Sequence, residues 1–353
     1  MIRIGDKIIS KKKPPFLIAE ISANHKGSFK RAINLVRLAA RAGFDAIKLQ
    51  TYDPNLITLN SKKRDFLISD KKSIWNKKRL YDLYKKGYTP KAWHKKIFLE
   101  AKKLKLVAFS TPFDLSSVKF LKKLKVPCFK ISSFEITYLD LIKECAKTKK
   151  PLIISTGLAS FKEIKDAVHA ARSSGCKKII LLKCSSNYPA NPEDINLETL
   201  IDLKKKFKTE VGLSDHTLGS EIAISSINFG ACVIEKHITI KNNDGALDSK
   251  FALESKKMKS FVQSIKNTYL AKGRIKYGPT KNEIKSLKFR RSIYVSKFIS
   301  KGEKITKDNV LVVRPSLGLE IKKFSKIIGL YSKKNLRIGD RIQISDLAKR
   351  RNF

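Results

Sequence analysis

The fold turns on three consecutive pieces of chain: Leu152-Ile-Ile-Ser-Thr-Gly157, then Ser160-Phe-Lys-Glu-Ile-Lys-Asp-Ala-Val-His-Ala-Ala-Arg-Ser-Ser-Gly175, then Ile179-Ile-Leu-Leu-Lys-Cys-Ser185. A short apolar run ends on Gly, a Ser opens a segment whose apolar side chains recur at helical spacing, a second Gly closes it, and another apolar run follows. Ser160 is an N-capping residue type, and Gly175 permits the left-handed turn on which many helices end. Two such runs joined by one helix read as parallel strands with a crossover between them.

Working outward, the same unit recurs. Strands are predicted at Phe16–Ser22, Ala46–Tyr52, Val107–Phe113, Cys128–Phe134, Leu152–Gly157, Ile179–Ser185, Val211–Thr217 and Cys232–Thr239. Helices fall between them, among others Phe29–Ala42 after Ser28, Lys91–Leu104 after Thr89-Pro90, and Phe161–Ser174. Eight alternations over about 250 residues predict an α/β fold of the (β/α)8 TIM-barrel kind. A doubly wound open sheet is the competing arrangement, and the count of eight favours closure. Asp53 to Tyr88 is too long for an ordinary strand–helix loop and reads as a lid or substrate loop. The barrel domain is expected over 1–272, a polar, turn-rich linker over 273–288, and a small domain over 289–353. In the last, Val295–Val310 and Ser332–Leu347 are weak echoes of each other, each with a Gly turn, at Gly302 and Gly339.

The 353 residues carry 76 Lys and Arg against 31 Asp and Glu, a formal charge of +45. The basic residues are spread along the chain, and their runs fall on the polar faces of the predicted helices. The charge therefore reads as a Lys bias that also draws anionic substrates inward, with no specific nucleic-acid partner. No run approaches the length of about 18 apolar residues that a membrane span needs. The start of the chain has no leader pattern, so a cytoplasmic location is expected. The five Cys form no C-x-x-C pair and read as buried small hydrophobes.

Barrels of this kind build their active sites from the C-terminal ends of the strands. Those ends carry Glu20, Lys48, Thr111, Lys130, Ser133, Glu135, Ser155, Tyr188, Ser214, His216, Glu235 and His237. Lysines and hydroxyls inside apolar strands are costly unless partnered, and together they describe an anion pocket with Lys48 and Lys130 as its point charges. His216 and His237 end neighbouring strands; the pair reads either as structural or as a ligand set for an octahedral Mn²⁺-like ion. Glu20 and Glu135 read either as a general base and a sugar-hydroxyl acceptor or as salt-bridge partners of the two lysines. His94 and His169 lie on helices and read as structural.

At these residues the sequence resembles a known family. Ile18-Ala-Glu-Ile-Ser-Ala-Asn-His-Lys-Gly27, Lys48-Leu-Gln-Thr-Tyr52, Ser110-Thr-Pro-Phe113, Lys130-Ile-Ser-Ser-Phe-Glu135, Ser155-Thr-Gly157, Gly212-Leu-Ser-Asp-His-Thr-Leu-Gly219 and Glu235-Lys-His-Ile-Thr239 resemble the sialic acid synthases. Phe289-Arg-Arg-Ser-Ile-Tyr294 and Arg314-Pro315 look like the antifreeze-like (SAF) domain of those enzymes. Tyr81-Asp-Leu-Tyr84, Tyr88-Thr-Pro90 and Asp248-Ser249 look most like the pseudaminic acid branch, with the N-acetylneuraminate and legionaminic acid branches as the alternative.

The resemblance implies condensation of phosphoenolpyruvate with the open-chain form of an N-acetylated amino sugar, releasing phosphate. It implies that Lys48, Thr111, Lys130, Ser133, Ser155 and Ser214 hold phosphoenolpyruvate, and that His216 and His237 hold Mn²⁺ or Mg²⁺, with Co²⁺ as a further option. Glu20 would be the base, and Glu135, Tyr188, Asp248, Phe289 and Arg314 would contact the sugar. Arg314 would come from the partner of a domain-swapped homodimer. Lys26, where the family usually has Asn, and Ala246-Leu247, where Gly-Pro is usual, depart from the family pattern around the sugar loop.

Overall fold

The computed structural model describes residues 2–71 and 73–350. Lys72, from the Lys71-Lys72 run, and 351–353, at the end of the expected small domain, lie outside the described residues. The chain divides into two compact units, Met1–Gly273 and Arg274–Phe353. Residues 274–288, expected as a linker, group with the second unit, and Ser316 bonds back to the carbonyls of Leu287 and Lys288.

The first unit opens with an antiparallel hairpin of β1 (Ile2–Ile4) and β2 (Lys7–Ile9), too short for an alternation pattern to reveal. The eight barrel strands follow as β3 (Phe16–Glu20), β4 (Ala46–Thr51), β5 (Val107–Pro112), β6 (Phe129–Ile131), β7 (Leu152–Ser155), β8 (Ile179–Cys184), β9 (Glu210–Asp215) and β10 (Val233–Thr239). Each pairs in parallel with the next, and β10 pairs with both β9 and β3, so the ring closes. The open-sheet alternative is excluded. Both faces of these strands are buried, which is why they read as unbroken apolar runs.

Local chemistry sets the helix ends. Ser28 accepts the Arg31 amide to cap Phe29–Ala42, and Gly43 ends that helix at φ +89°. Ser160 and Glu163 form a reciprocal capping box at the start of Phe161–Ser173. The fourth barrel strand is shorter than expected. After Ile131 the backbone turns, with Glu135 N–H bonding to Ser132 O and Ile136 N–H to Ser133 O, so Ser133 and Glu135 stand on the loop above the strand. The 53–88 insertion is partly helical, with helices at Pro54–Ile57 and Leu80–Gly87. Its Trp75 indole donates to the Leu247 carbonyl.

In the second unit, β12 (Ser292–Val295) pairs with β13 (Val310–Val313), and β14 (Tyr331–Ser332) pairs with β15 (Leu347–Ala348); β11 (Leu253–Glu254) adds to β10 in the first. Ile293, Val295, Ile299, Ile305, Val310, Ile327, Leu336, Ile342 and Leu347 form its core. Gly302 and Gly339, the turn glycines of the two sequence echoes, both have positive φ.

Candidate active site

Strand register assembles the charged centre. In parallel pairs, registered residues project to the same side, so Glu20 on β3 stands beside Lys48 on β4, and Glu235 on β10 stands beside Ser214 on β9. Lys48 Nζ pairs with the Glu20 carboxylate, donates to Thr111 Oγ1 at 3.2 Å and lies 3.5 Å from Glu235 Oε1. Lys130 Nζ donates to Ser155 Oγ at 2.6 Å and lies 3.8 Å from the same Glu235 oxygen, which also accepts the Ser214 hydroxyl at 3.0 Å. Two ammonium groups and two carboxylates are thus buried in one alternating cluster. Of the four carboxylate oxygens, Glu20 Oε2 faces Lys48, Glu20 Oε1 accepts the Ser22 amide, and Glu235 Oε2 has no hydrogen-bond partner among the described residues.

Of the two readings left open for Glu20, the ion pair with Lys48 is what the geometry shows, and it does not conflict with a base role. Burial pushes Glu20 up to about 7 against the pull of Lys48. Burial acts on Glu235 too, but Lys130 and Lys48 outweigh it and hold that carboxyl below its ordinary value. Lys48 stands above its ordinary value because Glu20 and Glu235 outweigh its burial, whereas burial leaves Lys130 below. Adjacent carboxylates driven apart in this way mark one as a proton carrier and the other as a fixed counter-charge. Glu135 makes no ion pair with either lysine; it accepts from the Ser132 hydroxyl, and burial lifts it to about 7 as well.

The histidines lie on the other side of the mouth. Their ring centroids are 5.3 Å apart, with Phe251 at 5.0 Å from His237 and Tyr188 at 4.5 Å from His216. Nδ1 of His216 donates to the Ser185 carbonyl at 2.8 Å; in the neutral ring this leaves the lone pair on Nε2, the tautomer a metal ligand needs. Nδ1 of His237 is buried without a hydrogen-bond partner, 3.7 Å from Asp248 Oδ2. Burial and the neighbouring His216 hold His237 well below its ordinary value, keeping it neutral. Among the described residues, no group of three or more His, Cys, Asp or Glu side chains is arranged as a metal cage.

Between these two regions sit Ser133 and Cys184. Ser133 Oγ lies 3.4 Å from Cys184 Sγ and accepts the Gly157 amide, and Cys184 Sγ is 3.7 Å from His216 Nδ1. A β-carbon at Gly157 would fall 2.4 Å from Ser186 Oγ and 2.7 Å from Ser133 Oγ, so any other residue in this turn would push these hydroxyls aside. Behind the histidines, on the outer face of the ring, Lys236 Nζ bonds to Asp215 Oδ2 at 2.5 Å and to the Thr217 carbonyl at 2.8 Å. That pair ties together the two strand ends that carry His216 and His237.

The barrel therefore gathers Glu20, Lys48, Thr111, Lys130, Ser133, Ser155, Ser214, His216, His237, Tyr188 and Asp248 at one mouth, with Glu135 half-buried on its rim. Phe289 and Arg314 belong to the second unit, where both are exposed. Sequence reasoning assigned no role to Glu235, Cys184, Ser22, Trp75 or Phe251. For Glu235 the signal was present, because it lies two residues before His237 on the same face of β10. Trp75, one of two tryptophans, packs on Tyr188 at 5.7 Å from a loop whose path no local pattern reveals.

Comparison with known proteins agrees with this geometry. Residues 35–277 match the NeuB family and residues 290–348 match the SAF domain. The chain is 40% identical over 334 residues to pseudaminic acid synthase of Campylobacter jejuni subsp. jejuni serotype O:2, covering 95% of this chain and 97% of that one. It is 36% identical over 329 residues to N,N'-diacetyllegionaminic acid synthase of the same organism, covering 92% and 98%. The crystal structure of the N-acetylneuraminic acid synthetase of Leptospira borgpetersenii serovar Hardjo-bovis in complex with citrate superposes with a TM-score of 0.71 at 30% identity, over 82% of this chain and 95% of that one. With a closed barrel, a buried lysine–carboxylate cluster beside two histidines, and matches spanning both units, the chain belongs to the sialic acid synthase (NeuB) family and carries a SAF domain.

Proposed function

We propose that this enzyme condenses phosphoenolpyruvate with 2,4-diacetamido-2,4,6-trideoxy-L-altrose to give pseudaminic acid and phosphate. The observation that carries the reading is the pair of buried ammonium groups, Lys48 and Lys130, ringed by hydroxyls at the mouth of a barrel whose sequence is 40% identical to a pseudaminic acid synthase. An anion carrying both phosphate and carboxylate meets two cations there, with Thr111, Ser133, Ser155 and Ser214 as donors to its oxygens.

The sugar lies toward the histidines, against Tyr188, Asp248 and Glu135; its aldehyde carbon takes the phosphoenolpyruvate methylene to form the new C–C bond while the C=O π electrons move to the aldehyde oxygen, which takes up a proton and becomes a hydroxyl. Glu20 accepts the proton of the water that adds to the resulting oxocarbenium carbon. The C–O bond to phosphate then breaks, leaving the ketone. His216 and His237 lie close together, with His237 held neutral by burial and His216 directing Nδ1 to the Ser185 carbonyl, and they would hold Mn²⁺ or Mg²⁺, with Co²⁺ a further option; such an ion would supply Lewis-acid polarisation of the aldehyde oxygen. We also assign Phe289 and Arg314 to the sugar site of a partner subunit in a domain-swapped homodimer, acting in the cytoplasm. No helix among the described residues is long and apolar enough to cross a membrane.

The 36% identity to a diacetyllegionaminic acid synthase favours a second reading, in which the acceptor is N-acetylmannosamine or its diacetamido analogue. Phosphate release from phosphoenolpyruvate with Mn²⁺, offering each sugar in parallel, separates the two. Turnover confined to the altrose sugar, lost in EDTA and restored by metal, is the expected result. Preference for either mannosamine sugar overturns the pseudaminate assignment.

A further inference from the structure

The sharpest local anomaly at the mouth is Ser22. It opens the one-turn 3-10 segment Ser22–His25 with φ +44°, a backbone conformation that glycine adopts freely and a residue with a β-carbon adopts only at a cost. The residue is buried, at 2% exposure, so solvent gives it no reason to be polar. Local backbone chemistry alone calls for glycine here, and what serine adds is a hydroxyl with one partner. Ser22 Oγ donates to Asp248 Oδ2 at 2.5 Å, across 226 residues of sequence. Its own amide donates to Glu20 Oε1 at 2.7 Å.

One strained residue therefore grips two carboxylates that sit on different parts of the site. The Ala23 amide adds a weaker contact at 3.5 Å to the same Asp248 oxygen. Both bonds fall on Oδ2, and among the described residues no protein donor reaches Oδ1. A carboxylate with one oxygen saturated and the other unclaimed presents a single acceptor in a fixed direction. In a buried wall beside Tyr188 and Phe251, such an acceptor suits an amide N–H or a hydroxyl of a bound sugar, and it penalises a sugar that lacks the donor at that position.

We propose that Ser22 is a specificity-determining positioning residue: its hydroxyl fixes Asp248 so that Oδ1 takes one donor of the acceptor sugar, while its amide holds Glu20 at a set distance from that sugar. This deepens the proposed function and rests on it. The geometry separates the sugar's anchor from the phosphoenolpyruvate anchors Lys48 and Lys130, so the two substrates should respond differently to changes at Ser22.

Two variants separate hydroxyl from strain. Ser22→Gly removes both, and Ser22→Ala removes the hydroxyl while keeping a β-carbon at positive φ. Both should raise the KM for the sugar by about tenfold with the KM for phosphoenolpyruvate unchanged, as expected for loss of a hydrogen bond to a charged group. The thermal midpoint should rise for Ser22→Gly relative to Ser22→Ala. Sugar KM unchanged in both variants, or both KM values rising together, overturns the proposal. A double-mutant cycle of Ser22→Ala with Asp248→Ala, read as the urea midpoint, tests the link whatever sugar the enzyme uses. Coupled losses support it, and strictly additive losses overturn it. Wild-type enzyme inactive with every sugar overturns the proposed function, and the cycle then still decides the link.

Discussion

The two units of this chain handle charge in opposite ways. The barrel buries Glu20, Lys48, Lys130, Asp215, Glu235 and Lys236, whereas among the described residues of the second unit the buried polar ones are Ser292, Asn309 and Ser332, with none charged. Both units belong to the same Lys-rich chain, so the bias in composition does not explain the difference. A small β-rich unit reaches its fold with an apolar core and turn glycines, and its lysines stay in water. The barrel closes around ammonium groups that cost several kcal/mol each to desolvate and offsets them with carboxylates in register. Charge buried at that cost in one unit, and absent from the described core of the other, marks the barrel mouth as the place where chemistry overrode packing.

The most severe way to break this contrast is Lys236→Met. It leaves Asp215 buried with an unpaired carboxylate, and the barrel should lose about 3–5 kcal/mol. Lys304→Met, on the surface of the second unit, should change stability by less than about 0.5 kcal/mol. Calorimetry checks both, and tryptophan fluorescence follows the barrel alone, because Trp75 and Trp93 both lie in it. Equal losses in the two units would remove the distinction.

A second test uses pH. Glu20 is raised from 4.5 to about 7, so folding favours its protonated form. That stabilisation is fully present below 4.5 and is lost as pH rises through about 7, and wild type should lose stability over that window relative to Glu20→Gln. The base must be ionised, so kcat/KM should rise with pH through the same range. Glu135 is also lifted to about 7 but is assigned to the sugar, not to proton transfer, so its variant is the control for the limb. Glu135→Gln should leave a rising limb, and Glu20→Gln should abolish it along with most of the rate. A limb that survives in Glu20→Gln assigns the base elsewhere.

The smallest effect is expected at Lys26, one of the departures from the family pattern. Its exposed ammonium donates to the Asp244 carbonyl at 2.7 Å, and Arg31 pairs with the Asp244 carboxylate, so the loop that carries the other departure, Ala246-Leu247, is pinned from the first strand's side of the mouth. Lys26→Ala should cost less than about 1 kcal/mol and shift the sugar KM about twofold. A tenfold shift would promote this tether to a determinant of specificity.

Much of this was legible in the sequence. All eight barrel strands and the capped helices Phe29–Ala42 and Phe161–Ser173 stand where periodicity and cap residues put them, because those signals are carried by residues within one or two turns of each other. The β1–β2 hairpin escaped because three-residue strands are shorter than any readable alternation. The turn after Ile131 escaped because Ser132-Ser133-Phe134 continues the composition of a strand while its hydrogen bonds are those of a turn.

Sequence by itself determined the order of strands and helices and the polar side chains at the strand ends, and its eight repeats favoured closure, which the pairing of the last strand with the first decided. Tertiary structure alone decided who partners whom. That Glu20 takes Lys48, that Glu235 stands between Lys48 and Lys130, and that Lys236 turns outward to Asp215 depend on register between strands far apart in sequence. A shift of one residue in that register would exchange the inner and outer faces of β10, placing Lys236 in the mouth and Glu235 outside it. Local periodicity carries no record of register; ring closure and the packing of the helices around it set it.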